Sequence, residues 1–203
     1  MALKDILVHL NDDKACRARV QTAANLALQH GAHLTGLYVR TLPHVPELAS
    51  ARLMEEIIEA QETAARENSE SAEKIFEEIA SAAGLSVEWR SLEGDTAAQL
   101  SLHGRYADLV VIGQHDPDAA TAPWLSDLPD RLVLRIGRSV MVVPYAGSYP
   151  NVGKNILVSW DASRQASRAV NDALPFLERA EKVEVLAVNP EPAPTATARS
   201  RAL

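Results

Sequence analysis

The chain predicts an α/β protein: a doubly wound, five-stranded parallel sheet followed by a shorter β-α-β fragment of the same pattern. Three observations carry that expectation. Short apolar runs bounded by turn residues recur along the first 144 residues, as strands buried on both faces do. Segments with apolar residues at helical spacing separate them, and such alternation implies a parallel sheet with helices on both faces. Finally, Ile156-Leu157-Val158-Ser159-Trp160-Asp161-Ala162-Ser163 repeats the pattern of Ile6-Leu7-Val8-His9-Leu10-Asn11-Asp12-Asp13 at an offset of 150.

Asp5 to Leu10 reads as the first strand. Asn11-Asp12-Asp13 supplies an N-cap, and the helix that follows runs to His30, where Gly31 ends it. Val20, Ala23, Ala24 and Ala27 form its inner face, small enough for the helix to lie close to a sheet. His33 to Val39 is the second strand. Pro43 and Pro46 precede a helical pattern from Glu47 to Ala83. A continuous helix of that length would span roughly 55 Å. A break or bend near Arg66-Glu67-Asn68-Ser69, or a protruding end, is therefore expected, with the many glutamates on a solvated face. Gly84 closes it, Leu85 to Leu92 alternates as a strand around Trp89, and Asp95-Thr96 caps a short helix to about Tyr106.

Asp108 to Gly113 is the fourth strand, and a polar loop runs from Gln114 to Pro123. Trp124, Leu125, Leu128, Leu132, Val133 and Ile136 mark one face of a helix that Gly137 stops before the fifth strand, Ser139 to Val143. Residues 1–145 thus form a complete domain, and 146–153 a linker rich in glycine, proline and serine. Residues 154–189 form a fragment: a strand, a helix Arg164 to Glu178 whose last turn Pro175 bends, and a strand Val183 to Val188. The tail, 190–203, is rich in proline and alanine, too poor in apolar residues for a core and expected to be disordered.

Composition narrows the function. The net charge of −7 and pI near 5.4 argue against nucleic acid as an electrostatic partner. No apolar run approaches 18 residues, so no membrane span is expected. A strand follows Met1-Ala2-Leu3-Lys4 at once, leaving no room for a signal peptide, and a cytoplasmic location is expected. Cys16 is the only cysteine, which excludes an intrachain disulfide and reads as an inert small residue on a helix. No nucleophile stands beside a base at a recognisable spacing, and no phosphate-binding or dinucleotide motif occurs, so an enzyme is not expected.

In a parallel sheet the loop after a strand, at the amino end of the next helix, is where anions bind. Here Gly113, Asp116, Ser126 and Asp127 fall on the spacing G-2x-G-9x-G-(S/T). With the alternation and the tandem repeat, that frame resembles the universal stress protein family, over residues 3 to 144 and, as a fragment, 154 to 189. The resemblance implies strand order 3-2-1-4-5 and an ATP-phosphate loop at this frame. It also implies an aspartate after the first strand that contacts the adenine side. Only the first loop glycine is kept. Carboxylates at Asp116 and Asp127 repel phosphate, at roughly 4 kcal/mol for two charges about 4 Å apart and an effective dielectric of about 20. The adenine-side aspartate matches Asp161 in the fragment, whereas the complete copy has Asn11. Neither copy holds both halves of a site.

Plainer readings stand beside these. Ser126 and Asp127 can be a helix cap, as can Asp161 and Ser163. His115, Asp116 and Asp118 can be drawn as metal ligands, but turn chemistry explains them as well. The reading is a cytoplasmic protein of universal-stress type, without turnover or cofactor and with ATP disfavoured, acting by oligomerisation and partner or small-ligand binding. The alternative is a weak ATPase with a composite site between chains. A homodimer is expected through Ser139 to Val143. This strand lies at the sheet margin in the implied order, is nearly all apolar, and would meet its counterpart from a second molecule because the second copy stops before that strand.

Overall fold

Strand β1 (Asp5–Leu10) is buried from Ile6 onward, which places it at the centre of a sheet with partners on both sides. The computed structural model describes residues 3–41, 51–118 and 127–187. Contacts divide it into a unit through Val152 and a second from Gly153. In the first unit, β1, β2 (His33–Arg40), β3 (Val87–Glu93), β4 (Leu109–Gly113) and β5 (Ser139–Val143) form one sheet in the order β3-β2-β1-β4-β5. Every pairing is parallel, with Leu7 opposite Thr35 on one side and Val110 on the other. Asp108 sets the β1–β4 register. Its carboxylate accepts from the N–H groups of Lys4 and Asp5 at 2.8 and 3.2 Å, while its own N–H donates to the Asp5 carbonyl.

Helices α1 (Cys16–His30) and α2 (Ala51–Ala83) pack on one another and on one face. On the other lie α3 (Thr96–Gly104) and α4 (Leu128–Arg135). Val20, Ala23, Ala24 and Ala27 of α1 are fully buried, as their small size predicts, and Gly31 ends the helix with φ 63°. Beneath α3 and α4, Leu7, Leu37, Leu100, Val110, Ile112 and Leu132 make the second core layer. Gly36 in β2 admits the Phe76 ring of α2, which would stand 2.9 Å from a Cβ there; the same ring lies 5.8 Å from that of Trp89.

Helix α2 runs unbroken, so no break occurs near Arg66 to Ser69. Its core-facing residues begin at Ser69, and between Arg52 and Asn68 no described side chain is buried. Alanine, glutamate, glutamine and arginine sustain that exposed half by intrinsic propensity, helped by the Arg52–Glu56 pair one turn apart. The expected helix start at Glu47, Trp124, Leu125, Val188 and the tail lie outside the described residues.

The second unit pairs β6 (Asn155–Ser159) with β7 (Lys182–Leu186) in parallel. Between them run α5 (Arg164–Asp172) and the single turn α6 (Leu174–Leu177), which Pro175 opens at the break in the expected continuous helix. No residue of α5 is buried and every residue of β7 is exposed.

Candidate functional site

The carboxyl ends of β1 and β4 lie side by side where the chain reverses its direction across the sheet, the usual ligand crevice of an open parallel sheet. Asn11, Asp12 and Asp13 leave β1 there, and Gly113 to Asp118 leave β4. What joins the two loops is Arg19, one turn into α1 and 1% exposed. Its Nε donates to the His9 carbonyl at 2.8 Å, Nη1 to Asp13 Oδ2 at 3.2 Å, and Nη2 to Asn11 Oδ1. The guanidinium lies directly over Gly113. A Cβ at that glycine would collide with Nη1 and stand 3.1 Å from Cζ.

This network corrects the expected cap of α1. The N-cap residue is Ala15 and makes no side-chain cap; the Asp13 carbonyl accepts from the Cys16 N–H, while the side chains of Asn11 and Asp13 turn to the guanidinium. A charged, five-donor partner outcompetes two neutral helix N–H groups for those oxygens. Asp13 Oδ1 remains buried without a hydrogen-bond partner.

Electrostatics follow from burial. His9 is 3% exposed, and burial, reinforced by the Arg19 charge and only partly opposed by Asp13, lowers its imidazole to about 3, so it is neutral. Burial also pushes the Cys16 thiol up, against the pull of Arg19, which leaves it protonated and unreactive. Tyr38, at the end of β2, is pushed up to about 12 by burial and by the Asp12 carboxylate.

The start of the loop after β4 is tied to β5 and to itself. The Gln114 N–H donates to the Val143 carbonyl at 2.8 Å, and Asp116 Oδ1 accepts from the Asp118 N–H at 3.0 Å, an Asx turn. Asp127 holds the N-cap position of α4, but its side chain caps nothing; only its carbonyl accepts, from the Arg131 N–H. Ser126 lies outside the described residues. Among the described residues no three His, Cys, Asp or Glu side chains gather as metal ligands, His115, Asp116 and Asp118 included.

Asp161 and Ser163 sit in the second unit. Ser163 caps α5 by accepting from the Ala166 N–H at 3.0 Å, and Asp161 Oδ1 accepts from the Ser163 N–H at 2.9 Å. Both are occupied with turn and cap bonds. The structure therefore brings Asn11 and Gly113 together through Arg19, the one site residue that sequence reasoning missed. Its signal was an arginine three residues after Cys16 and four before Ala23, on the helix face otherwise lined by small core residues.

The universal stress protein family model matches residues 2–144. Among solved structures, universal stress protein UspA from Lactobacillus plantarum superposes with TM-score 0.55 at 19% identity, covering 70% of this chain and 99% of that one. A universal stress protein from Archaeoglobus fulgidus DSM 4304 covers 95% of this chain and 68% of its own, with TM-score 0.65 and 14% identity. A member of the family from Burkholderia pseudomallei gives 0.51 and 21%, over 70% of this chain and 96% of that one. At these identities the likeness to solved structures is one of fold. No curated protein matches the sequence. With the family model spanning most of the first unit and the sheet in the order that the resemblance implied, the chain belongs to the universal stress protein family.

Proposed function

We propose that this protein acts as a cytoplasmic homodimer that contacts partners or small ligands without nucleotide turnover, its ATP loop being degenerate and its second unit a partial copy of the first. The observation that carries the reading is the start of the loop after β4, Gln114 to Asp118. Its Gln114 and Asp118 N–H groups are taken by the Val143 carbonyl and the Asp116 carboxylate. A phosphate site needs such N–H groups free and no carboxylate among them. Dimerisation is supported by the sheet margin. Because Val143 turns its carbonyl to β4, the polar groups of Val142 point outward from the sheet, beside a side chain 40% exposed.

Calorimetric titration with ATP tests the loop. The expected dissociation constant is about 1 mM or weaker, given that carboxylate repulsion. Low-micromolar binding would end the reading in favour of an ATPase with a site shared between chains. In the converse experiment, Asp116→Gly with Ser126→Gly and Asp127→Ser tightens ATP binding if the frame is retained.

A further inference from the structure

We propose that the crevice between β1 and β4 is a guanidinium site filled from within, Arg19 being a tethered occupant, and that with the Arg19 side chain removed it accepts a small planar cation of the guanidinium or amidinium class.

The walls supply acceptors. Three oxygens already converge on the guanidinium: the His9 carbonyl, Asn11 Oδ1 and Asp13 Oδ2. Neutral His9 adds no positive charge. The floor is Gly113, where any side chain would take the volume that the planar head fills. A long, flexible arginine in a core face is costly to order, and its charge is costly to bury unless acceptors surround it. The convergence of three acceptors over a glycine gives this side chain the surroundings a bound guanidinium requires.

The fit is nonetheless incomplete, and the gap says what a free ligand gains. Arg19 reaches only Oδ2 of Asp13, and buried Oδ1 is left without a partner. The α1 backbone fixes where the head can go. An untethered guanidinium can straddle both oxygens in the bidentate fork that carboxylates favour. Tethering, however, gives Arg19 a high effective concentration, so an external cation enters only when Arg19 leaves. In the wild-type chain the site is closed by its own side chain; removal of that side chain uncovers it.

The test is thermal unfolding of the full chain and of Arg19→Ala with methylguanidinium chloride, against sodium chloride at equal ionic strength. The expected result is a rise in Tm of Arg19→Ala, about 3 °C at five times the dissociation constant, and no rise for the wild type. Equal responses of the two proteins overturn the proposal. If Arg19→Ala does not fold alone, recovery of its native circular dichroism on adding millimolar methylguanidinium supports the proposal. Failure to recover sends the test to Gly113→Ala in the wild-type and Arg19→Lys backgrounds. Lysine has no planar head over Gly113, so the Tm loss from the added methyl should fall by at least about half, and equal losses overturn the proposal. Of the phosphate-loop frame the inference uses only Gly113, and neither Asp116 nor Asp127. Tight ATP binding by the wild type would end the earlier reading and leave this comparison intact.

Discussion

His9 makes the protein lose stability in mild acid, and the size of the effect follows from its surroundings. In the folded chain its imidazole is held near 3; in the unfolded chain it titrates near 6.5. Between those values the unfolded state binds a proton that the folded state refuses, so stability falls as pH falls. Above 6.5 the term vanishes, and below 3 it is complete. From pH 7 to pH 5 the expected loss is about 2 kcal/mol, and over the whole window about 5 kcal/mol. The carboxylates whose values are lowered, Glu78, Glu88, Asp95 and Asp161, give up their stabilising share only as pH drops below their unfolded values near 4, outside this range. His103, lowered by burial and by Arg90, acts in the same direction from a half-buried position. Urea unfolding at pH 7, 6 and 5, on the wild type and on His9→Leu, isolates the effect. His9 lies two residues after Leu7 in β1 and so on the same face, toward the core under α3 and α4, and leucine suits the site. The variant should keep most of its stability between pH 7 and 5. An identical pH slope in both proteins would falsify the assignment.

Val142→Pro removes an outward N–H from the margin strand. It should weaken a dimer without unfolding the first unit. Sedimentation at tens of micromolar decides, and a monomeric wild type or an indifferent dimer refutes that interface. Burial works against the charge of Asp95, but the Ala98 N–H and Arg131 outweigh it and hold the carboxyl below its usual range. Asp95→Ala should therefore cost about 1 kcal/mol in urea unfolding, while Asp95→Asn, still a cap, should recover most of it. A full loss in both variants would point to the ion pair instead. Amide exchange should show weaker protection in β6 and β7 than in β1 and β4, because α5 buries nothing and β7 is exposed along its length. Equal protection would contradict that.

The strands were legible because a doubly buried strand has to be apolar without interruption, as Leu109 to Ile112 is. Gly31 and Asp95 were legible because they end or begin helices by local chemistry alone. The order of the strands came from the resemblance, since parallel runs of similar composition carry no address in their own residues. Length suggested a break in α2, yet Arg66 to Ser69 contains neither proline nor glycine, and nothing local interrupts the ladder. Asn11 and Asp13 misled for the opposite reason. Their side chains suit a helix cap, but a guanidinium from the next turn claimed them. The glycine at 113 was visible as a loop frame. That it makes room for Arg19 depends on a contact across 94 positions, which no local pattern reveals.

The sheet order also sets a clock on synthesis. β1 sits between β2, which follows it within about thirty residues, and β4, whose Val110 pairs with Leu7 across 103 positions. At roughly 5–20 residues per second, the ribosome delivers the second neighbour about 5–20 s after the first strand. Throughout that interval the β4-facing edge of β1 presents unpaired backbone groups beside Ile6, Leu7 and Val8, the composition that invites pairing with the wrong chain. The most buried strand of the finished protein is thus the one that waits longest for its partner while the chain is being made.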